Sequence, residues 1–471
     1  MTTAPLCLPY EVLYPPGCFG ELDEWLRRRL LHTLTLMEQR PATALSGLGE
    51  SRAERVGALR MVEHEEVEFG RLLQPALGAV GAAVAGGQAG SVALCIHDRT
   101  EVELSHLKAM KGLGPVGNPL CRGFLLQLAL AVDEQGAAFG VLGARTWVRP
   151  AAQRGKAQQR RELPFEEKES AHWWRGIAQA EAQVGQAGLL LHVIDAEGDI
   201  FELLCRAASA RYQLLVRAAH DRCVEGEQKK LWATLQALPP RGTQRLHLPA
   251  RPASKGKPAR AARDVELTLR FGLLLLRPPH GRQGPAVEVW GVLVREEAPP
   301  AGAQPLEWLL LTNVPVQTPE AAWGVVQCYR RRWLIEELHK ALKTGCALEA
   351  RQHEDRQTLL NVLALMLPVA VRLLRLRTLA RTCPSAAATQ VLEEAEVQVL
   401  VRLAPRLAPR QLPSPTPTLG EALYLIALLG GYMGSRSNPQ PGWLILWRGY
   451  ERLRERVEGF LLARSLDSSP A

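Results

Sequence analysis

The sequence predicts an α/β fold with helical segments at both ends, on three observations. Between residues 91 and 195 the order is apolar strand, long hairpin, helix, apolar strand. The first 75 residues and the last third instead repeat their apolar positions at three-and-four spacing, the period of an amphipathic helix. At 471 residues, against about 150 per domain, the chain is long enough for roughly three domains. Hydrophobic residues at 47% and charged residues at 22% exclude a wholly disordered, collagen-like or fibrous protein. A net charge of +9 suits a polyanionic partner.

The N-terminal unit is carried by ELDEWLRRRLLHTLTLMEQ and by Ser51-Arg-Ala-Glu54, a capping box ahead of an apolar run. Trp25 and Arg27 to Arg29 are open to two readings, phosphate contacts or a solvated basic face. Tyr10, Tyr14, Pro15 and Pro16 fit no DNA-end-binding element. GAVGAAVAGGQAG, residues 78–90, is expected to be a flexible joint. SVALCIHD then reads as a buried strand ending at Asp98. CRGFLLQLALAV and AAFGVLGARTWVRP flank a DEQG turn at 133–136, and GLLLHVID is a second buried strand ending at Asp195. Two acids at strand ends fall where open-sheet sites lie.

Residues from about 221 to 310 read as a β-rich insertion. Within it, 241–263 hold seven basic residues and no acid, a loop suited to phosphate contacts or simply to solvent. The stretch 359–371 is apolar but contains Asn361 and Pro368, and is expected to be too short and interrupted to span a bilayer. No secretory signal is visible, and nine scattered cysteines without a C-x-x-C pair read as reduced core residues. The expectation is a soluble, cytoplasmic protein with no membrane partner. Pro405 to Pro417 reads as a linker. Trp443, Leu446, Trp447, Tyr450, Leu453, Val457, Phe460 and Leu461 form a helical stripe that serves either as core or as a dimer surface.

The chemistry concentrates in CYRRRWLIEELHKALKTG, residues 328–345. On one continuous helix, Tyr329, Arg332, Glu336, Lys340 and Lys343 share an arc of roughly 80°, with Leu334, Ile335, Leu338 and Leu342 opposite. Read alone, this is a solvated face with i, i+4 ion pairs worth a few tenths of a kcal/mol each. Read with two upstream aspartates, it is one carboxylate among phosphate-binding cations. Three carboxylates from distant segments can hold two Mg²⁺ ions about 3.5–4 Å apart.

Tyr329-x2-Arg332-x3-Glu336-x6-Lys343 matches the Y-R-E-K signature of bacterial cut-and-paste transposases of the insertion-sequence-four family, and the chain most resembles the transposon-five type. HDRT around Asp98 resembles the family's first acid motif, and DAEGDIFE its second. EWLLLTNVPV resembles the segment before the signature, and LLGGYMGSRS with the W-W-Y helix the dimerisation region. The likeness spans roughly residues 20 to 465.

The resemblance implies a ribonuclease-H-like catalytic core with a β-rich insertion, residues 81–375, between helical domains at 1–80 (DNA-end binding) and 376–471 (dimerisation). It implies Asp98, Asp195 and Glu336 as the catalytic, metal-binding triad, with two Mg²⁺ ions per site and Mn²⁺ as a substitute. It implies a homodimer on paired inverted-repeat ends that nicks, forms and opens a hairpin, and transfers strands into target DNA. Tyr329, Arg332 and Lys343 would contact DNA phosphates, with Lys340 joining them by its helix face, and Arg217 matches a basic family position. Trp308 would stack a flipped base, although from the residues alone a core tryptophan in a β segment is the favoured reading. Thr100 would position the DNA end or cap a turn. His97 and His339 receive no role, since Mg²⁺ prefers oxygen ligands. The second acid motif departs from the family in its middle residues, which leaves Glu197 and Asp199 as competitors of Asp195. The rivals are a nuclease of the same core that cuts without joining, and an inactive DNA-binding regulator.

Overall fold

In this computed structural model the described residues are 8–467, apart from 119, 135, 151–162, 249, 251–258, 283, 409–415 and 435–440. The N-terminal unit is helical as expected: α1 (Asp23–Gln39), α2 (Arg52–Val62) and α3 (Phe69–Ala85). The capping box at α2 forms, with the Ser51 hydroxyl accepting from the Glu54 N–H at 3.1 Å and Glu54 accepting from the Ser51 N–H at 2.9 Å. Arg27 is committed to the fold, its Nε donating to the Tyr14 carbonyl at 2.7 Å, whereas Arg28 stays exposed beside Glu24. Only the second half of the Gly/Ala stretch, residues 86–90, is a turn joint. Residues 78–85 continue α3, because alanine is the best helix former. Gly81 is required there by packing, since a Cβ would meet the Gln183 backbone carbonyl of the helix crossing it.

A ten-stranded mixed sheet forms the centre. β1 (Ala93–Glu103), β2 (Arg122–Val132) and β3 (Ala138–Trp147) make an antiparallel meander. The hairpin falls where the sequence places it, with Asp133 accepting from the Ala137 N–H at 2.9 Å. The crossing helix α4 (Ala171–Val184) leads to β4 (Leu190–Ile194), parallel to β1. α5 (Phe201–Ala208) leads to β5 (Gln213–Arg217), parallel to β4. β1 does not end at Asp98. It pairs with β2 as far as Glu103, whereas its pairing with β4 stops at Ile96, so Asp98 sits where β1 loses one neighbour and keeps the other.

The insertion extends the same sheet. α6 (Leu231–Ala237) is followed by β6 (Thr243–Leu248), β7 (Arg263–Leu276), β8 (Val287–Arg295) and β9 (Glu307–Thr312). All pair antiparallel, and β9 returns against β5. Part of the basic segment expected as loop is therefore strand, because alternation in TQRLHL pairs it with β7. Its residues 249 and 251–258 lie outside the described set.

The signature segment is not one helix. α7 (Pro319–Arg330) and α8 (Trp333–Lys340) are separated at 331–332, and 341–345 form a π-turn. At the break the N–H groups of Arg331, Arg332 and Leu334 bond three residues back, which tightens the turn and re-aims the chain.

α9 (Arg356–Thr382) runs through Pro368, and by length and composition it is long and apolar enough to cross a membrane, contrary to the expectation for 359–371. With 89% of its apolar window buried, it is the central core helix here. Asn361 donates to the carbonyls of Val62 and Val67, and buried Arg375 pairs with Asp133 at 2.9 Å. α10 (Glu394–Leu407) includes Pro405, which places the start of the expected linker inside a helix; 409–415 lie outside the described residues.

α11 (Leu419–Leu429) and α12 (Trp443–Asp467) complete the chain. Of the stripe, Trp443 to Val457 is buried within the protein and Leu461 is exposed, so the core reading holds for most of it. One apolar core joins Tyr10 of the N-terminal unit, the sheet, α9 and Val457. The eight described cysteines are free, but only Cys95 and Cys346 are fully buried, and Cys223 is exposed.

Candidate active site

Strand register assembles the site. Ile96 pairs with Val193 and Val193 with Leu215, so carrying the register two residues forward sets Asp98, Asp195 and Arg217 in one row on one sheet face. Arg217 in turn pairs with Leu310, and Trp308 lies two residues along on the same face. Asp195 follows directly on β4, and its carboxylate accepts from the Glu197 N–H at 2.8 Å.

α8 lies over this row, held by buried Ile335 and Leu338. Arg332 bridges two acids, Nη2 to Glu336 Oε1 at 2.6 Å and Nη1 to Asp98 Oδ2 at 4.0 Å. Three acids and one guanidinium thus meet in a half-buried pocket. Burial pushes the Asp98 carboxyl up to about 7, and the negative charges of Asp195 and Glu336 add to the rise. The Arg99 N–H at 2.8 Å and the Arg332 charge oppose it. The crowding of like charges is the property that an oxygen-liganded divalent cation relieves. The acids stand wider apart than a single tight cage: among the described residues, the three ligand-type atoms within 4.8 Å of one another belong to Cys95, His97 and His192.

The competing acids are otherwise engaged. Asp199 is buried, bonded to Arg222 and to the N–H groups of Ala219 and His220 at 2.8 and 2.9 Å. Glu197 pairs with Arg99 at 2.8 Å. Of the three, Asp195 alone stands in the row with Asp98.

The remaining predicted residues divide. Tyr329 is buried, its ring 6.1 Å from that of Trp308, and its hydroxyl lies near the Arg217 guanidinium. Burial raises the phenol's pKa while the Arg332 and Arg217 charges oppose the rise. Trp308 is partly buried, with one face against the core. Lys343 donates to the Glu101 carbonyl and pairs with Glu349 at 3.0 Å, beside the row. Lys340, at the exposed end of α8, pairs with Glu337 at 2.9 Å and lies over the Trp333 ring. Thr100 is within β1, opposite Leu126, and caps no turn.

His339, without a role in the sequence reading, is buried with Nδ1 3.8 Å from Asp98 Oδ2. Burial, with Lys343 and Arg332 nearby, holds its pKa down to about 3, so a neutral imidazole walls the pocket. The available signal was spacing: 339 is three residues beyond Glu336 and seven beyond Arg332, on the same helix face.

Residues 368–469 match the family model described as the transposase Tn5 dimerisation domain. The match begins inside α9 at Pro368 and takes in α10, α11 and α12. The likeness supports a transposase related to that type, a DNA-cleaving and joining enzyme, and its assembly as a homodimer.

Proposed function

We propose that the chain is a cut-and-paste DNA transposase whose Asp98, Asp195 and Glu336 hold two Mg²⁺ ions against the scissile phosphate. The observation that carries this reading is the meeting of those three acids, from β1, the end of β4 and α8, where burial first, and then the charges of Asp195 and Glu336, push Asp98 up to about 7. The order β3-β2-β1-β4-β5, a meander followed by two parallel strands, supports the ribonuclease-H-like core. Asp98, Asp195 and Glu336 would hold the ions through their carboxylate oxygens, the donor type that Mg²⁺ takes. When bound, the ions supply Lewis acidity at the attacking and leaving oxygens.

The chain's own residues bind and orient the DNA. Arg332, now bonded to Glu336, is placed to turn from carboxylate to phosphate, a bidentate partner for either. Lys343 and Arg217 flank the row and set the backbone of the cut strand. Tyr329 lies beside Arg217, where its phenol bounds that cation's approach to the row. Trp308 offers the free side of its ring to a base rotated out of the helix, with stacking worth about 1–3 kcal/mol. Nicking, hairpin formation, hairpin opening and strand transfer are all in-line displacements at phosphorus, so one pocket serves each in turn. The C-terminal helices pair two copies on two DNA ends.

The test is cleavage of a duplex carrying the element's inverted repeat, in Mg²⁺, followed by joining of a pre-cleaved 3′-OH end to supercoiled target. Both products are expected, and Asp98→Ala, Asp195→Ala and Glu336→Ala each lose them while retaining binding. Cutting without joining would instead identify a nuclease, and binding without either a regulator.

A further inference from the structure

Directly behind the acidic row, on the opposite face of the sheet, the fold buries a second set of ligand-type side chains. Cys95 and His192 are register partners on adjacent strands, and His97 follows two residues after Cys95. All three residues are 0% exposed. Cys95 Sγ lies 3.4 Å from His97 Nε2, which lies 2.8 Å from His192 Nδ1, and the three atoms fall within 4.8 Å of one another. On its other side, His192 Nε2 meets Glu181 Oε1 of α4 at 3.1 Å. That contact fixes the His192 proton on Nε2 and leaves the Nδ1 lone pair facing the sulfur and the other imidazole.

We propose that Cys95, His97 and His192 bind one thiophilic transition-metal ion, Zn²⁺ or Cu⁺, in the core, with Glu181 as the carboxylate that orients His192. Thiolate and imidazole select soft or borderline ions over Mg²⁺. A metal–sulfur bond of about 2.3 Å and metal–nitrogen bonds of about 2.0–2.1 Å set ligand atoms roughly 3.3–3.6 Å apart. The cysteine–histidine spacing already meets this, and the two imidazoles need to open by only about half an ångström. Binding releases the thiol proton, and the thiolate then offsets the ion's charge inside the core, with Glu181 offsetting the remainder for a dication. The carboxylate–histidine–metal chain is the usual outer support of such sites. An ion here ties β1 to β4 immediately beneath Asp98 and Asp195.

The test uses the untagged full-length chain, dialysed separately against Zn²⁺ and against Cu⁺ held by excess glutathione, then measured for bound metal and thermal unfolding. The wild type and Cys346→Ala, which keeps the cluster, are expected to retain roughly one equivalent of at least one ion and to melt higher with it. Cys95→Ser and His192→Gln are expected to lose both effects. Replacement by Co²⁺ adds a thiolate-to-metal absorption band that Cys95→Ser lacks, so a folded protein can be scored without activity. A folded wild type that binds neither ion, or Cys95→Ser that binds as much as the wild type, overturns the proposal.

Discussion

Asp98→Asn should make the metal-free protein more stable at neutral pH while abolishing cleavage. The side chain is 17% exposed, and burial, with Asp195 and Glu336, moves its pKa from 3.8 to about 7. A carboxyl raised in the folded state contributes stability that is complete below its unfolded pKa and lost as pH climbs through the folded one. About three units at about 1.4 kcal/mol each gives a penalty on the order of 4 kcal/mol at pH 8, and about half of that at pH 5.5. This is a ceiling, because the variant leaves Arg332 with Glu336 alone. Urea unfolding without divalent ions, run at both pH values, reads the difference directly. The asparagine variant should be the more stable, by more at the higher pH, and Mg²⁺ should narrow the gap by stabilising only the wild type. A variant no more stable at pH 8, or a gap independent of pH, would refute the reasoning.

Arg375→Met leaves Asp133 as an unpaired buried charge and should cost about 3–5 kcal/mol in urea unfolding, whereas the double variant with Asp133→Asn should recover much of it. Tyr329→Phe removes a buried hydroxyl beside Arg217, and single-turnover cleavage should fall severalfold with little change in melting temperature. Gly449→Leu should disrupt the crossing of α11 and α12, because a Cβ at Gly449 meets the Ile426 carbonyl; gel filtration should show loss of the dimer.

What the sequence disclosed was the part encoded by local pattern. The hairpin about 133–136, the buried strands, the capping box at Ser51 and the C-terminal stripe are all periodicity or turn chemistry, and all stand where the pattern puts them. What it did not disclose was set by tertiary partners. β1 continues past Asp98 because β2 pairs with it there, a fact about a strand some 30 residues away. The glycines of 78–90 looked like punctuation, but α4 packs so closely that Gly81 is the residue that fits within a helix.

In the site, the row of Asp98, Asp195 and Arg217 follows from parallel register, which no single segment carries. The break at 331–332 has no proline or glycine to announce it, and the turn of the Lys340 side chain toward Glu337 and Trp333 is a choice of rotamer that a helical wheel does not carry. Ranking Asp195 above Asp199 was possible by motif, but the reason is physical: Asp199 is consumed by Arg222 and two backbone N–H groups.

Anomalous scattering from Mn²⁺ in crystals of the protein with an end-containing duplex tests the central claim most directly. Ions bonded by oxygens of Asp98, Asp195 and Glu336, with Arg332 turned from Glu336 to a DNA phosphate, are the predicted result. Manganese bound elsewhere, with Arg332 still holding Glu336 and Asp98, would contradict the account.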